Sequence, residues 1–102
     1  MASRLQLQTE LEELLGTRNV YFQPPESKKL QYDCIVYHRS NINTNKADNR
    51  NYILTDRYDV TIIYRNPDND LPKRMLERFQ YCTHSNFFTV DNLYHDVFTL
   101  YY

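Results

Sequence analysis

Histidine and cysteine are the residue types of this chain best suited to metal binding or nucleophilic chemistry. They are His38, His84, His95, Cys34 and Cys82. No two histidines have the i, i+4 spacing that lets one helix present two metal ligands. Cys82 and His84 share one face of a predicted strand, but a zinc site needs further ligands. The spacing therefore predicts no metal site.

Cys34 and His38 lie on one face of another predicted strand. A nucleophilic cysteine and its base must be within hydrogen-bond reach, whereas four residues along a strand span about 13 Å. This pair is too far apart for covalent catalysis. The chain also begins without the apolar block of a signal peptide, so the default is residence in a cytoplasm and the cysteines are expected to be buried free thiols.

Glycine could form a phosphate-binding loop, and paired aspartates could act as catalytic acids. Gly16 is the only glycine, which excludes a Gly-rich phosphate-binding loop. Turn formation and helix capping explain most of the aspartates, although paired acids that meet only in the fold stay open. These aspartates are Asp56, Asp59, Asp68, Asp70, Asp91 and Asp96. We expect no catalytic or metal-binding residue and no cofactor.

Length and charge restrict the remaining functions. A chain of 102 residues is expected to form a single domain, residues 1–102, with one modest core. Its net charge of -1 offers no basic excess for neutralising phosphates, which argues against nucleic-acid binding as the main function. Its apolar runs are far shorter than the ~20 residues that cross a bilayer. The ten tyrosines suit both half-buried strands and protein interfaces.

The elements that position these residues can be read from periodicity. Leucines with helical spacing predict a helix over residues 3–15, with Ser3 as N-cap and Gly16 at its end. Strands follow at 17–23 (weak), 30–39 and 52–65, where apolar and polar residues alternate.

The second half of the chain continues the pattern. A second helix is predicted over residues 71–79, with Asp70 as N-cap and Pro72 in the first turn. Two closing strands, 81–90 and 94–101, are joined by a turn at Asp91-Asn92. The fold class is therefore α+β in the order α-β-β-β-α-β-β: a mainly antiparallel β-sheet with two α-helices packed on one face.

The polar, asparagine-rich segment at about 40–51 predicts either a long hairpin loop or an extended β-arm that meets a neighbouring subunit. Its candidate interface residues are Asn41, Asn43, Asn45, Lys46, Asp48, Asn49 and Arg50. Lys28, Lys29 and Arg39 form a second candidate group, a minor basic patch that would face nucleic acid in a pore. The alternative for the basic group is a solvated surface of mixed charge.

Six short segments resemble the tail terminator, or tail completion, proteins of tailed bacteriophages. They are YFQPP at 21–25, YDCIVY at 32–37, KADN at 46–49, DRYDVTIIY at 56–64, NPD at 66–68 and DNLYHDVFTLYY at 91–102. Together they are spread over residues 20–102. None of them is a catalytic signature, so the resemblance rests on strand and turn sequences.

The resemblance implies a ring, commonly of six subunits, that caps the head-proximal end of a tail tube. Such a ring ends tube polymerisation and gives the head connector a docking surface; it carries no cofactor and catalyses no reaction. The implied partners are further copies of the chain, the tail tube protein and a head-closure or connector protein. Duplex DNA would pass through the lumen without specific binding, and no membrane is involved. The implied location is the tail or neck of the virion, with assembly in the host bacterial cytoplasm.

Two other functions stay open at this point. The first is a head-closure or adaptor protein of the phage neck, which the sequence separates poorly from a terminator. The second is a small-molecule-binding or enzymatic α+β domain, which would need a concave pocket with converging polar groups.

Overall fold

The computed structural model describes residues 4–47 and 50–102, with the backbone alone for residues 41–47 and 50–56. The predicted N-cap Ser3 therefore lies outside the described residues. The elements are α1 (Arg4–Leu15), β1 (Val20–Phe22), β2 (Cys34–Ala47), β3 (Arg50–Tyr64), α2 (Leu71–Arg78), β4 (Cys82–Val90) and β5 (Leu93–Tyr101). The predicted α+β class and element order are confirmed.

The five strands form one sheet in the order β1-β2-β3-β5-β4. β1 runs parallel to β2, and the other neighbours are antiparallel. β2 begins at Cys34 rather than at the predicted residue 30. β5 lies between β3 and β4, so the last strand of the chain occupies the interior and β4 forms an edge.

Alternation along β3 builds the core. The predicted face of Tyr58, Val60, Ile62 and Tyr64 is buried, and all four join one hydrophobic cluster. The same cluster contains leucines of α1 and Met75 of α2. The residues opposite them in the sheet include Ile35 and Tyr37 on β2 and Phe98 and Leu100 on β5.

α1 packs on this buried face through Tyr37 of β2. The Tyr37 hydroxyl donates to Gln8 Oε1 at 2.5 Å and accepts from Arg4 Nη1 at 3.2 Å. The helix ends at Gly16, whose φ of 84° lies in the left-handed region and whose N–H donates to the Glu12 carbonyl at 2.8 Å. The predicted glycine stop is confirmed by this geometry.

α2 differs from expectation in its cap. Pro72 lies in the first turn as predicted, but the Asp70 side chain caps no N–H among the described residues. Asn69 Oδ1 instead accepts from the Leu71 N–H at 2.9 Å, and Asp70 pairs with Arg74 at 3.2 Å. Asp70 occupies the N-cap position as predicted, and its carbonyl accepts from the Arg74 N–H at 3.0 Å, but the side chain that bonds a helix N–H is that of Asn69, which forms an Asx turn one residue earlier.

The predicted packing of both helices on one face of the sheet is not clear-cut. α2 contacts α1 and β4, and its Leu71 and Met75 belong to the core cluster. The turn between β4 and β5 consists of Asp91 and Asn92, which have φ values of 55° and 64°. These values belong to a two-residue type I′ turn, which agrees with the predicted turn.

We expect Ile62→Asp to abolish folding, because Ile62 is fully buried and an unpaired carboxylate there costs several kcal/mol. Thr61→Asp is the matched control, since Thr61 is half-buried on the opposite face of the same strand. Thermal melts followed by circular dichroism compare the two. A cooperative melt of Ile62→Asp near the wild-type temperature would show that the assigned core face is wrong.

Candidate functional site

The segment at 40–51 is the paired end of a long hairpin. Residues 41–47 of β2 pair with residues 50–57 of β3. β1 pairs with β2 only at residues 35–37, and β5 pairs with β3 only at residues 57–64. Among the described residues, 41–47 and 50–56 therefore form a two-stranded ribbon beyond the five-stranded sheet. We call this ribbon the arm.

The arm contains most of the predicted interface residues. Asn41, Asn43, Asn45, Lys46 and Arg50 lie on its two strands, whereas Asp48 and Asn49 lie outside the described residues. The pairing shifts register between Arg39 and Asn41 and again between Asn45 and Lys46. Such irregularities increase strand twist and redirect a strand, so the first shift marks the base of the arm.

Two-stranded ribbons are marginally stable in water by themselves. Within the described chain, neither outer side of the arm pairs with another strand. Unpaired strand edges are templates for pairing with another chain. The arm therefore has the backbone chemistry of an assembly element.

β4 forms a second accessible edge, which we call the β4 edge (Cys82–Val90). Phe87, Phe88 and Val90 on it are 50%, 39% and 48% exposed. Phe87 stacks on Tyr94, with ring centroids 6.2 Å apart, and Phe88 stacks on His95 at 4.7 Å. Sequence reasoning identified this strand but not its edge position, because strand order depends on contacts between distant residues.

One polar network is buried on the core face. Asp96 is 5% exposed, accepts from the Tyr64 hydroxyl at 2.5 Å and lies 2.8 Å from His84 Nε2. Burial, reinforced by the hydrogen bond to Asp96, raises the pKa of Tyr64 well above its ordinary value. Both carboxylate oxygens of Asp96 thus have hydrogen-bond partners, as buried polar atoms require.

A carboxylate that orients a histidine also occurs in catalytic triads, where the histidine activates a nucleophile. The cysteines are candidates for that nucleophile. Burial raises the pKa of Cys82 to about 11 and, with the nearby Asp33 charge, that of Cys34 to about 12. Both cysteines are free thiols as predicted, Cys34 buried and Cys82 half-buried. They remain protonated near neutral pH, and a protonated thiol is a poor nucleophile. The cysteine thiols are therefore poor nucleophiles for the His84–Asp96 pair, whose hydrogen bonds link β4 and β3 to β5.

The other two histidines lie on different strands, His38 on β2 and His95 on β5. His38 Nε2 pairs with Asp59 at 3.3 Å on the open face of the sheet, and His95 Nδ1 lies 3.1 Å from the Leu93 carbonyl oxygen. No group of three metal-ligating side chains occurs among the described residues.

The predicted basic group is divided between the two faces of the sheet. Lys28 Nζ lies 5.7 Å from the ring centroid of Tyr21, whose partner Val36 is on the open face. The Arg39 guanidinium lies 5.8 Å from the ring of Tyr58, on the core face. Lys29 is exposed in the connection between β1 and β2. Lys28 and Arg39 therefore do not share a face.

We expect Asp96→Ala to cost about 1–3 kcal/mol of stability, because it leaves the buried Tyr64 hydroxyl without its acceptor. Adding Tyr64→Phe should recover part of that loss by removing the orphaned group. Asp59→Ala is the matched control, since it breaks a histidine–aspartate pair in which His38 is 55% exposed. Urea unfolding measures all three. Equal losses for Asp96→Ala and Asp59→Ala would contradict a stabilising role for the buried network.

Alkaline stability should depend on Tyr102, whose hydroxyl donates to Glu10 of α1. Burial and this hydrogen bond raise the pKa of Tyr102 to about 12, whereas an unfolded tyrosine ionises near 10. Its contribution is complete below about pH 10 and is lost as pH rises through about 12. Tyr102→Phe should therefore be less stable at neutral pH but show a shallower decline over that window. A decline as steep as that of the wild type, with Tyr101→Phe as the control for loss of a hydroxyl, would contradict this.

Neither helix in the described part of the chain is long and apolar enough to cross a membrane. Comparison with protein-family models, curated proteins and solved structures finds no match for this chain. Within the described residues, the arm and the β4 edge both present strand edges that no other strand covers.

Proposed function

We propose that this chain is a non-enzymatic structural protein that assembles with copies of itself into a closed ring. The observation that carries the proposal is the arm, a ribbon of backbone beyond the core whose outer sides are unpaired among the described residues. Ordering the backbone of such a ribbon costs chain entropy, and a two-stranded ribbon by itself is marginally stable in water. Contact with a neighbouring subunit supplies what is missing.

The position of the arm favours a head-to-tail contact. It extends from the end of β2 and the beginning of β3, whereas the other free edges of the sheet are on β1 and β4. A contact between two different surfaces of identical subunits is heterologous, and it closes into a ring when its rotation divides a full turn. With a net charge of -1, identical subunits meet with little repulsion.

Within that class, we propose a tail terminator: a ring, expected to be hexameric, at the head-proximal end of a phage tail tube. The support is the resemblance of six segments at 21–102 to tail completion proteins. The ring would end tube polymerisation, offer a joining surface to the head-closure or connector protein, and let DNA pass through its lumen. The thiols, protonated near neutral pH, and the divided basic residues agree with a role that needs neither catalysis nor specific DNA binding.

The test is the assembly state of the full chain. Light scattering should give about six times the 12.4 kDa of the subunit, and negative-stain images should show a ring. Added to a tail tube protein that is polymerising, the ring should stop growth at one end. Rings that leave tube growth unchanged but bind a portal complex would instead identify a head-closure adaptor. A chain that stays monomeric at high concentration and on tubes would contradict the proposal.

Deleting residues 42–50 should leave a folded monomer that no longer assembles. The deletion removes most of β2 in the arm while sparing the core strands, and residues 51–56 remain to join Asn41 to Arg57. Thermal melts control for folding, and light scattering reports mass. An oligomer of unchanged mass would exclude the arm from the subunit interface.

A further inference from the structure

The β4 edge lacks the protection that sheet edges usually have. Natural edge strands carry charged residues or proline, or are covered. The nine residues of β4, CTHSNFFTV, include no Asp, Glu, Lys, Arg or Pro. β4 has a neighbour on one side only within the described sheet, and a single register shift lies between His84 and Asn86. The end of the strand from Asn86 to Val90 is regular and open.

Backbone groups of this end face outward from the sheet. In a two-residue hairpin, the residues that flank the turn, here Val90 and Leu93, form a hydrogen-bonded pair. The bonding pattern alternates along antiparallel strands, so the N–H and C=O groups of Thr89 and Phe87 point away from β5. The Phe87 N–H agrees with this direction, because it donates to Asn86 Oδ1 at 2.9 Å rather than to β5.

Apolar side chains border the edge on both faces. Phe87 lies on the core face, where it is paired in register with Asp96, and Phe88 and Val90 alternate onto the open face. Each of them is at least 39% exposed. An added strand would cover all three while pairing the outward backbone groups, which is the geometry of β-augmentation.

We propose that the β4 edge receives one strand of the arm from a second copy of this chain. This deepens the ring assembly proposed above and rests on it. The contact joins the end of β4 from Asn86 to Val90 with the described arm strands of the neighbour. It adds a sixth strand to the receiving sheet and a third strand to the arm.

Both sides of this contact lack a partner within the described subunit, which argues for the arm as the occupant. An arm strand of seven residues is about 23 Å long, and the five residues from Asn86 to Val90 span about 17 Å, so one arm strand is long enough to cover this end of the edge. Pairing β4 with the β4 of a second copy would satisfy the edge but close a two-fold dimer and leave both arms bare.

The experiment uses two variants of the chain, each of which can make only half of the contact. The donor keeps its arm but carries Thr89→Pro, which removes an outward N–H without breaking a bond to β5. Thr89→Lys is the second donor variant, in case proline disturbs folding. Thr89 is exposed, and a lysine there places a charge on the edge, which opposes strand addition. Thr89→Ala is the matched control, because it keeps the N–H and should assemble as the wild type does. The acceptor is the chain that lacks residues 42–50.

Each variant alone should be a folded monomer, and an equimolar mixture should form a one-to-one dimer that grows no further. Light scattering would show mass doubling in the mixture only. Self-dimerisation of the acceptor would overturn the proposal in favour of β4–β4 pairing. Full assembly of the folded Thr89→Pro and Thr89→Lys chains would also overturn it, while leaving the ring intact. A monomeric wild type would overturn the ring itself, and with it this contact.

Discussion

Burial of one face of β3 is the interaction on which the rest of this structure depends. Tyr58, Val60, Ile62 and Tyr64 form a continuous buried row, and the helices, β2 and β5 all contribute to the same cluster. With so few residues, this is the one core that the chain can build. Elements within reach of β3 are held by it, and elements beyond its reach must find stabilisation elsewhere.

That division explains which features are available for assembly. β5 pairs with β3 only from Arg57 to Tyr64, so β3 continues past the core with β2 as its sole described neighbour. β4 pairs with β5 alone and exposes aromatic rings on both faces. The arm and the β4 edge thus have one cause: the core is too small to cover every strand that the hairpins create.

The small core also contains a buried acidic side chain, Asp96. Asp96 is buried opposite Ile62, where an apolar residue would be the simpler choice. It is tolerated because Tyr64 and His84 satisfy its two oxygens. A network of this kind fixes the relative positions of three neighbouring strands: Asp96 of β5 is joined to Tyr64 on β3, which is distant in sequence, and to His84 on the preceding strand β4. Its geometry resembles catalytic machinery, yet the cysteine thiols stay protonated near neutral pH.

Local physical chemistry determined much of this protein from the sequence alone. Alternation located β3, helical spacing located α1 and α2, the left-handed preference at Gly16 ended a helix, and Asp91-Asn92 formed the expected turn. The sequence could not reveal that β5 inserts beside β3, that β1 pairs in parallel, that the Asn69 side chain rather than that of Asp70 bonds the Leu71 N–H, or that Asp96 meets Tyr64 and His84. Each of these depends on which distant surfaces pack together, and periodicity within one element carries no information about its neighbours. Only the tertiary structure therefore decided that 41–47 and 50–56 pair beyond the sheet and that β4 lies at its edge.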